Sequence, residues 1–314
     1  MKTQGKRRAI WITLISLLLP CVTMLGDVST PNPFARGEVH ERVLIIAHAG
    51  ASSIAPQNTL VAGEVALALG ADVWGIDVRV TRDGHLVLMH DETLDRTTNV
   101  DDVFPDRAPW HVADFTLEDV RRLDAGSWFT EIDPFGEIAS SAVSPEDVGA
   151  FAGEPVPTLE EALKFVSEAN WLIDIEVKPL PAEARNAVAA RLSELIAVTK
   201  TERQVLVSSF DHDFLRAFRT VAPTVPIGVL ALLPPHDLIE TLNEIEADAY
   251  LPSVVGFTPS LLEELEAAGL HVILWTYNTV DSLEYALGLP GVDGIYTDFP
   301  QRLVPLLGSV ESTP

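Results

Sequence analysis

Three observations predict an α/β protein built as a single (β/α)8 TIM barrel. Short β-branched runs alternate with helical patterns of ten or more residues from Val43 onward. One pair of runs is joined by a turn too short for a crossover. Polar and charged residues collect at the C-terminal ends of the runs. Strand-helix alternation of this kind implies parallel strands joined by crossover helices.

The runs are 43–48, 73–80, 86–90, 171–177, 204–209, 226–232, 249–252, 271–276 and 293–297, one more than an eight-stranded barrel can use. The count resolves at Thr81-Arg82-Asp83-Gly84. A link that short joins antiparallel strands only, because a parallel crossover needs a dozen or more residues. Run 86–90 is therefore the returning arm of a hairpin. The helices carry their own punctuation: Thr158 and Glu161 form a capping box, Thr258-Pro259 opens a helix that Gly269 closes, and Asn58 is expected to cap the first helix. The stretch from about 99 to 157 is acidic, carries Trp110, Trp128, Phe129, Phe135 and Phe151, and lacks strand rhythm. It is expected to lie as an insertion over one barrel end, its aromatics packing mainly on one another.

Of 314 residues, 47% are hydrophobic, and 21 basic side chains stand against 46 acidic ones, a formal net charge of −25. That balance argues against nucleic acid as a partner. The single cysteine, Cys21, allows neither an internal disulfide nor a cysteine-based zinc site. Lys2, Lys6, Arg7 and Arg8 precede an apolar run from Ala9 to Leu25, so residues 1–26 read as a signal peptide or N-terminal membrane anchor. Either reading places the remainder outside the cytoplasm. Residues 27–41 then read as a tether, 42–308 as the barrel and 309–314 as a tail. The oligomeric state is not legible.

In such barrels the reacting groups come from the C-terminal ends of the strands. Here those ends offer His48, Asp77, the hairpin's His90 and Asp91, Trp275, Asn278 and Asp298. Asp174, Glu176 and Lys178 alternate, so a period of two puts all three on one face. Buried charges are costly unless paired or metal-bound, and three on one core strand require a reason. Cleaving a phosphodiester would use such a set: cationic charge for the non-bridging oxygens, and two histidines as general base and general acid. Asp298-Phe299-Pro300 also fits a plain turn and cap.

From about Leu44 to Leu303 the chain resembles the glycerophosphodiester phosphodiesterase family of phospholipase-C-like barrels. The likeness rests on 47–59 (AHAGASSIAPQNT), 70–83 (GADVWGIDVRVTRD), His90-Asp91-Glu92-Thr93-Leu94-Asp95-Arg96-Thr97-Thr98, Ile175-Glu176-Val177-Lys178 and Gly291-Val292-Asp293-Gly294. The resemblance implies hydrolysis of a glycerophosphodiester to an alcohol and glycerol phosphate, with His48 and His90 in the acid and base roles. It implies Asp77 and Glu176 as ligands of a divalent metal, calcium or magnesium, and Lys178 on the phosphate. Trp275 and Phe210 would line the substrate side.

Three positions depart from the family pattern. Ala49 replaces Arg, Gln57 replaces Glu, and Gly75 stands where a third metal-ligating Glu is expected. With Gln57 as a substitute oxygen donor the metal would bind weakly, and Arg79, in phase with Gly75 and Asp77, is an alternative source of positive charge. The competing reading is a catalytically impaired barrel that binds a phosphorylated polyol or lipid head group.

Overall fold

The computed structural model describes residues 31–310. The strands are β1 (Leu44–His48), β2 (Val73–Val80), β3 (Leu86–Leu88), β4 (Leu172–Val177), β5 (Val205–Ser209), β6 (Ile227–Ala231), β7 (Ala249–Pro252), β8 (His271–Leu274) and β9 (Gly294–Thr297). Their order is β1-β9-β8-β7-β6-β5-β4-β2-β3, and β1 also pairs with β2, so eight parallel strands close into a barrel. β3 pairs antiparallel with the end of β2, as the short turn requires. Helices Leu60–Leu69, Leu159–Ala169, Arg185–Thr199, His212–Val221, Leu238–Ile245, Pro259–Ala267, Val280–Leu287 and Pro300–Val310 wrap the outside.

Alternation along each strand sorts the side chains into two cores. Ile45, Ala47, Trp74, Ile76, Ile173 and Ile175 face the helices. Ile46, Val73, Leu206, Leu251, Ile273 and Tyr296 fill the barrel interior. The interior is apolar toward the N-terminal ends of the strands and polar toward the other, which leaves the polar and charged groups of the rim on a packed floor. The expected caps at Thr158 and Thr258 are present.

Residues 99–157 form short helical turns and a small core of their own. Val100, Val112, Phe115, Val120, Leu123 and Val156 bury against Val87 and Met89 of the hairpin arm and Leu94 beyond it. Trp128, Phe129 and Phe151 meet edge to face at 5.8 and 5.7 Å. Phe135 instead reaches the barrel rim, edge-on to Phe299 at 5.4 Å.

The tether expected over 27–41 does not hold for residues 32–37. Phe34 is fully buried in the barrel's interior core. Asn32 Nδ2 donates to the carbonyls of Glu202 and Val205 at 2.9 and 2.8 Å. Arg36 donates to Asn243 Oδ1 and to the Ala268 carbonyl. The segment closes the N-terminal end of the barrel, where open strand ends and an apolar floor would otherwise face water. The leader, Cys21 and the tail from 311 lie outside the described residues. Among the described residues no helix is long and apolar enough to cross a membrane.

Candidate active site

β1 delivers His48 to the rim and β2 runs beside it in register, His48 opposite Gly75. β4 follows with Gly75 opposite Asp174 and Asp77 opposite Glu176. The period of two therefore does what the sequence suggested, carrying Gly75, Asp77, Asp174 and Glu176 to one interior face. After β1 the chain turns sharply through Ala49 and Gly50, both at positive φ. A Cβ on Gly50 would lie 2.6 Å from that of Ala62, so this turn needs glycine both for its backbone angle and for its approach to the helix.

His48 Nδ1 and Asp298 Oδ1 are 2.7 Å apart. Asp298 also accepts from Ser52 Oγ at 3.0 Å and Asn278 Nδ2 at 2.7 Å. Burial alone would depress the His48 imidazolium, but the hydrogen bond and charge of Asp298 outweigh it and raise its pKa. The partner moves the opposite way: burial would raise the Asp298 carboxyl, and His48 holds it down. Asp298 is thus more than a turn residue; it orients the His48 ring. His90 has a matching partner, Asp91, at 2.7 Å, and Asp91 is in turn held by Arg96 Nε. In both pairs Nδ1 is engaged by the carboxylate, leaving Nε2 for chemistry. Arg79 Nε donates to the His90 carbonyl at 3.0 Å, so it secures the hairpin end.

His48, His90, Asp77, Gln57, Arg96, Ser52, Ala49, Phe135 and Asp298 line one cavity of about 190 Å³. Trp275 and Phe210 do not line it. They meet edge to face at 5.8 Å on another part of the rim, after β8 and β5.

Lys178 Nζ lies 2.6 Å from both Asp77 Oδ1 and Glu176 Oε1, with all three groups largely buried. Burial would lower the lysine pKa, but the two carboxylates raise it. Asp77 is held well below the usual carboxylate range, because Lys178 outweighs its burial. Glu176 goes up, through burial and the neighbouring Asp77 charge. The other Asp77 oxygen accepts from Asn58 Nδ2 at 2.7 Å, while Asn58 Oδ1 accepts from the Asp77 backbone N–H. Asn58 is therefore not a helix cap. Thr59 caps the first helix, and Asn58, at positive φ, fixes Asp77 instead.

Tyr296 occupies the place opposite Gly75. A Cβ on Gly75 would stand 2.4 Å from Tyr296 Cε1. The tyrosine hydroxyl donates to Asp174 Oδ2 at 2.5 Å, and Ser208 Oγ donates to Oδ1 at 2.8 Å. Burial pushes the Asp174 carboxyl up to about 7 despite those bonds.

These residues do not fit the three-carboxylate metal site that the family pattern implies. The third carboxylate is absent, its space is filled by Tyr296, and Lys178 already pairs with the other two. Gln57 Oε1, the expected substitute donor, accepts from Arg96 at 3.3 Å. Among the described residues the only converging group of three metal-ligating side chains lies elsewhere, at His40, His271 and Asp293.

The family model for glycerophosphoryl diester phosphodiesterases matches residues 48–302. The chain belongs to that family. Its members hydrolyse phosphodiesters, so the chain is placed among the phosphoric diester hydrolases. A glycerophosphodiester phosphodiesterase of Caldanaerobacter subterraneus subsp. tengcongensis is 35% identical over 269 residues, 85% of this chain and 98% of that protein. One from Bacillus altitudinis is 34% identical, over 83% and 96%. A solved phosphodiesterase of Oleispira antarctica, in complex with the product sn-glycerol-3-phosphate, superposes with a TM-score of 0.71 at 25% identity, covering 84% of this chain and 96% of that one. A solved protein from Silicibacter pomeroyi gives 0.74 at 27% identity, over 88% and 96%.

Sequence reasoning brought together His48, His90, Asp77, Glu176 and Lys178. It missed the roles of Asn58, Arg96 and Tyr296. The place of Arg96 in the His90–Thr98 string, six residues after His90, is the available signal for one of them.

Proposed function

We propose that the barrel hydrolyses a glycerophosphodiester to an alcohol and glycerol phosphate, with His48 and His90 as the acid-base pair. The observation that carries this reading is the pair of histidine–carboxylate couples, His48–Asp298 and His90–Asp91, opening onto one cavity beside Asp77. One imidazole takes a proton from the attacking nucleophile and the other gives one to the leaving alkoxide. Arg96, on the cavity wall, supplies positive charge toward the phosphate where Ala49 offers none. Lys178 neutralises the floor through Asp77 and Glu176. A calcium or magnesium ion would find only those two carboxylates, already paired, so no step is assigned to one. The Phe210–Trp275 pair would meet the alcohol side of a longer substrate.

The non-catalytic reading, a barrel that only binds a phosphorylated polyol, is less well supported, because both couples are intact. The basic and apolar leader supports export, with or without retention at a membrane. The deciding experiment follows glycerol phosphate release from glycerophosphocholine and glycerophosphoethanolamine, with and without chelator. Release that vanishes in His48→Ala and His90→Ala supports the proposal. No release from any glycerophosphodiester, with or without added calcium, magnesium or manganese, would sink it.

A further inference from the structure

At the end of the barrel opposite the cavity, the first residue of β8 and the residue before β9 meet the N-terminal segment. His271, Asp293 and His40 offer ligand atoms that all lie within 4.8 Å of one another. The His40 and His271 rings are 5.0 Å apart, tilted by 47°.

The protonation of His271 follows from its partners. Its Nε2 is 3.0 Å from the Ala35 carbonyl, which can only accept, so Nε2 carries a hydrogen. In the neutral ring Nδ1 is then a bare lone pair, and it points at Asp293 Oδ1, 3.4 Å away. Burial would lower the His271 pKa but Asp293 raises it, so either a proton or a metal ion can stand between the two atoms. A shared proton would draw them to about 2.7–2.9 Å, as charge-assisted bonds do. Both active-site couples of this same molecule close to 2.7 Å. A separation of 3.4 Å instead matches the edge of a coordination tetrahedron, about 3.3–3.4 Å for bonds of roughly 2.0–2.1 Å. An independent observation points the same way: His40 Nε2 is buried with no hydrogen-bond partner. Asp293 is fixed from behind, its Oδ2 accepting from the Val272 N–H at 2.8 Å. Backing bonds of this kind orient metal ligands.

We propose that His40, His271 and Asp293 form a second site, separate from the cavity, for a zinc-class divalent ion that clamps the N-terminal segment to the barrel floor. Two imidazoles and one carboxylate favour such a metal over calcium or magnesium, which take oxygen donors. Water completes the fourth position. The ion joins chain before β1 to β8 and the approach to β9, on the side where Phe34 already plugs the barrel.

The test uses the full chain, stripped with chelator, titrated calorimetrically with zinc chloride and melted with and without it. The expected result is one zinc per chain and a zinc-dependent rise in Tm. Binding should weaken at least tenfold in His40→Gln and in Asp293→Asn, and persist in a His48→Ala, His90→Ala double variant. His40 lies outside the strands, so its replacement leaves the fold able to report. Absence of zinc binding, undiminished binding in His40→Gln, or loss in the His48, His90 variant would each overturn the proposal.

Discussion

Tyr296 lays its ring where a side chain on Gly75 would stand, 2.4 Å from the Cβ that glycine lacks. The two positions are therefore one packing unit, and restoring a carboxylate at residue 75 alone overpacks the interior. Overpacking a filled core costs roughly 1–3 kcal/mol. Gly75→Glu should lower the melting temperature by several degrees and bind no calcium in a calorimetric titration. Gly75→Glu combined with Tyr296→Val should recover much of the stability and acquire calcium binding. A single Gly75→Glu variant that melts like the parent and binds calcium would show that Tyr296 does not hold the space.

Removing either imidazole tests the acid-base pair directly. His48→Ala and His90→Ala should each lose about 10²- to 10⁴-fold in kcat, the usual contribution of a positioned proton donor or acceptor. His48→Ala also forfeits the stabilising pair with Asp298, so turnover is compared at temperatures where both variants remain folded. A variant that keeps turnover within a few-fold removes that histidine from the proposed pair.

Asp298→Asn isolates the orientation and charge that Asp298 lends to His48. His48 has a raised pKa in the folded protein, so its contribution to stability is complete below the ordinary histidine value and is lost as pH rises through the raised one. Asp298 has a depressed pKa, so its contribution is present above the ordinary aspartate value and lost as pH falls through the depressed one. The pair therefore stabilises between these limits, and the variant should be most destabilised there. One limb of the pH–rate profile should move to lower pH while the other stays. If the alkaline limb moves, His48 is the acid; if the acidic limb moves, it is the base. An unmoved profile would mean the hydrogen bond does not act on turnover.

Much of this site is legible without a structure, for a physical reason. Asp174 and Glu176 lie on β4 and Lys178 directly follows it, so a period of two is visible within five residues. The hairpin is legible because a five-residue link excludes a crossover. Asn58 was misread because a residue just before a helix satisfies the pattern of a cap equally well, and only the strand beside it shows that Asp77 claims its amide. Tyr296 and Gly75 lie on strands distant in sequence, and nothing local announces that one fills the other's space. Phe34 is a single aromatic among polar residues and prolines, without periodicity to mark it as buried.

Lys178→Met leaves two carboxylates facing each other with no cation between them. Breaking a buried pair by removing one partner typically costs about 3–5 kcal/mol, and here two acids are stranded. In the parent, Lys178 holds Asp77 well below its ordinary value, so that stabilisation is present at neutral pH and lost on acidification. In the variant the sign reverses for Asp77, and Glu176, already raised in the parent by burial and the Asp77 charge, loses the lysine that opposes that rise. Lys178→Met should be strongly destabilised at pH 8 and partly recover toward pH 5, by chemical denaturation at each pH. Equal destabilisation at both values would mean the carboxylates are not coupled through Lys178.

The N-terminal segment gives the remaining prediction, and it separates a plug from a tether. A tether could be shortened without effect on the barrel. Phe34 is instead fully buried among Ile46, Leu206, Leu251 and Ile273, and truncating a buried phenylalanine costs about 3–5 kcal/mol. Asn32 satisfies the carbonyls of Glu202 and Val205 at the entrance to β5, so Asn32→Ala strands two acceptors at roughly 1–3 kcal/mol. Arg36→Ala removes exposed bonds and should cost far less. Urea unfolding of the three variants should therefore rank Phe34→Ala as the most destabilised, Asn32→Ala next and Arg36→Ala least. Because the segment lies at the opposite end of the barrel from His48 and His90, KM should be unchanged in all three at temperatures where they stay folded. A Phe34→Ala variant as stable as the parent would return residues 32–37 to the role of a linker.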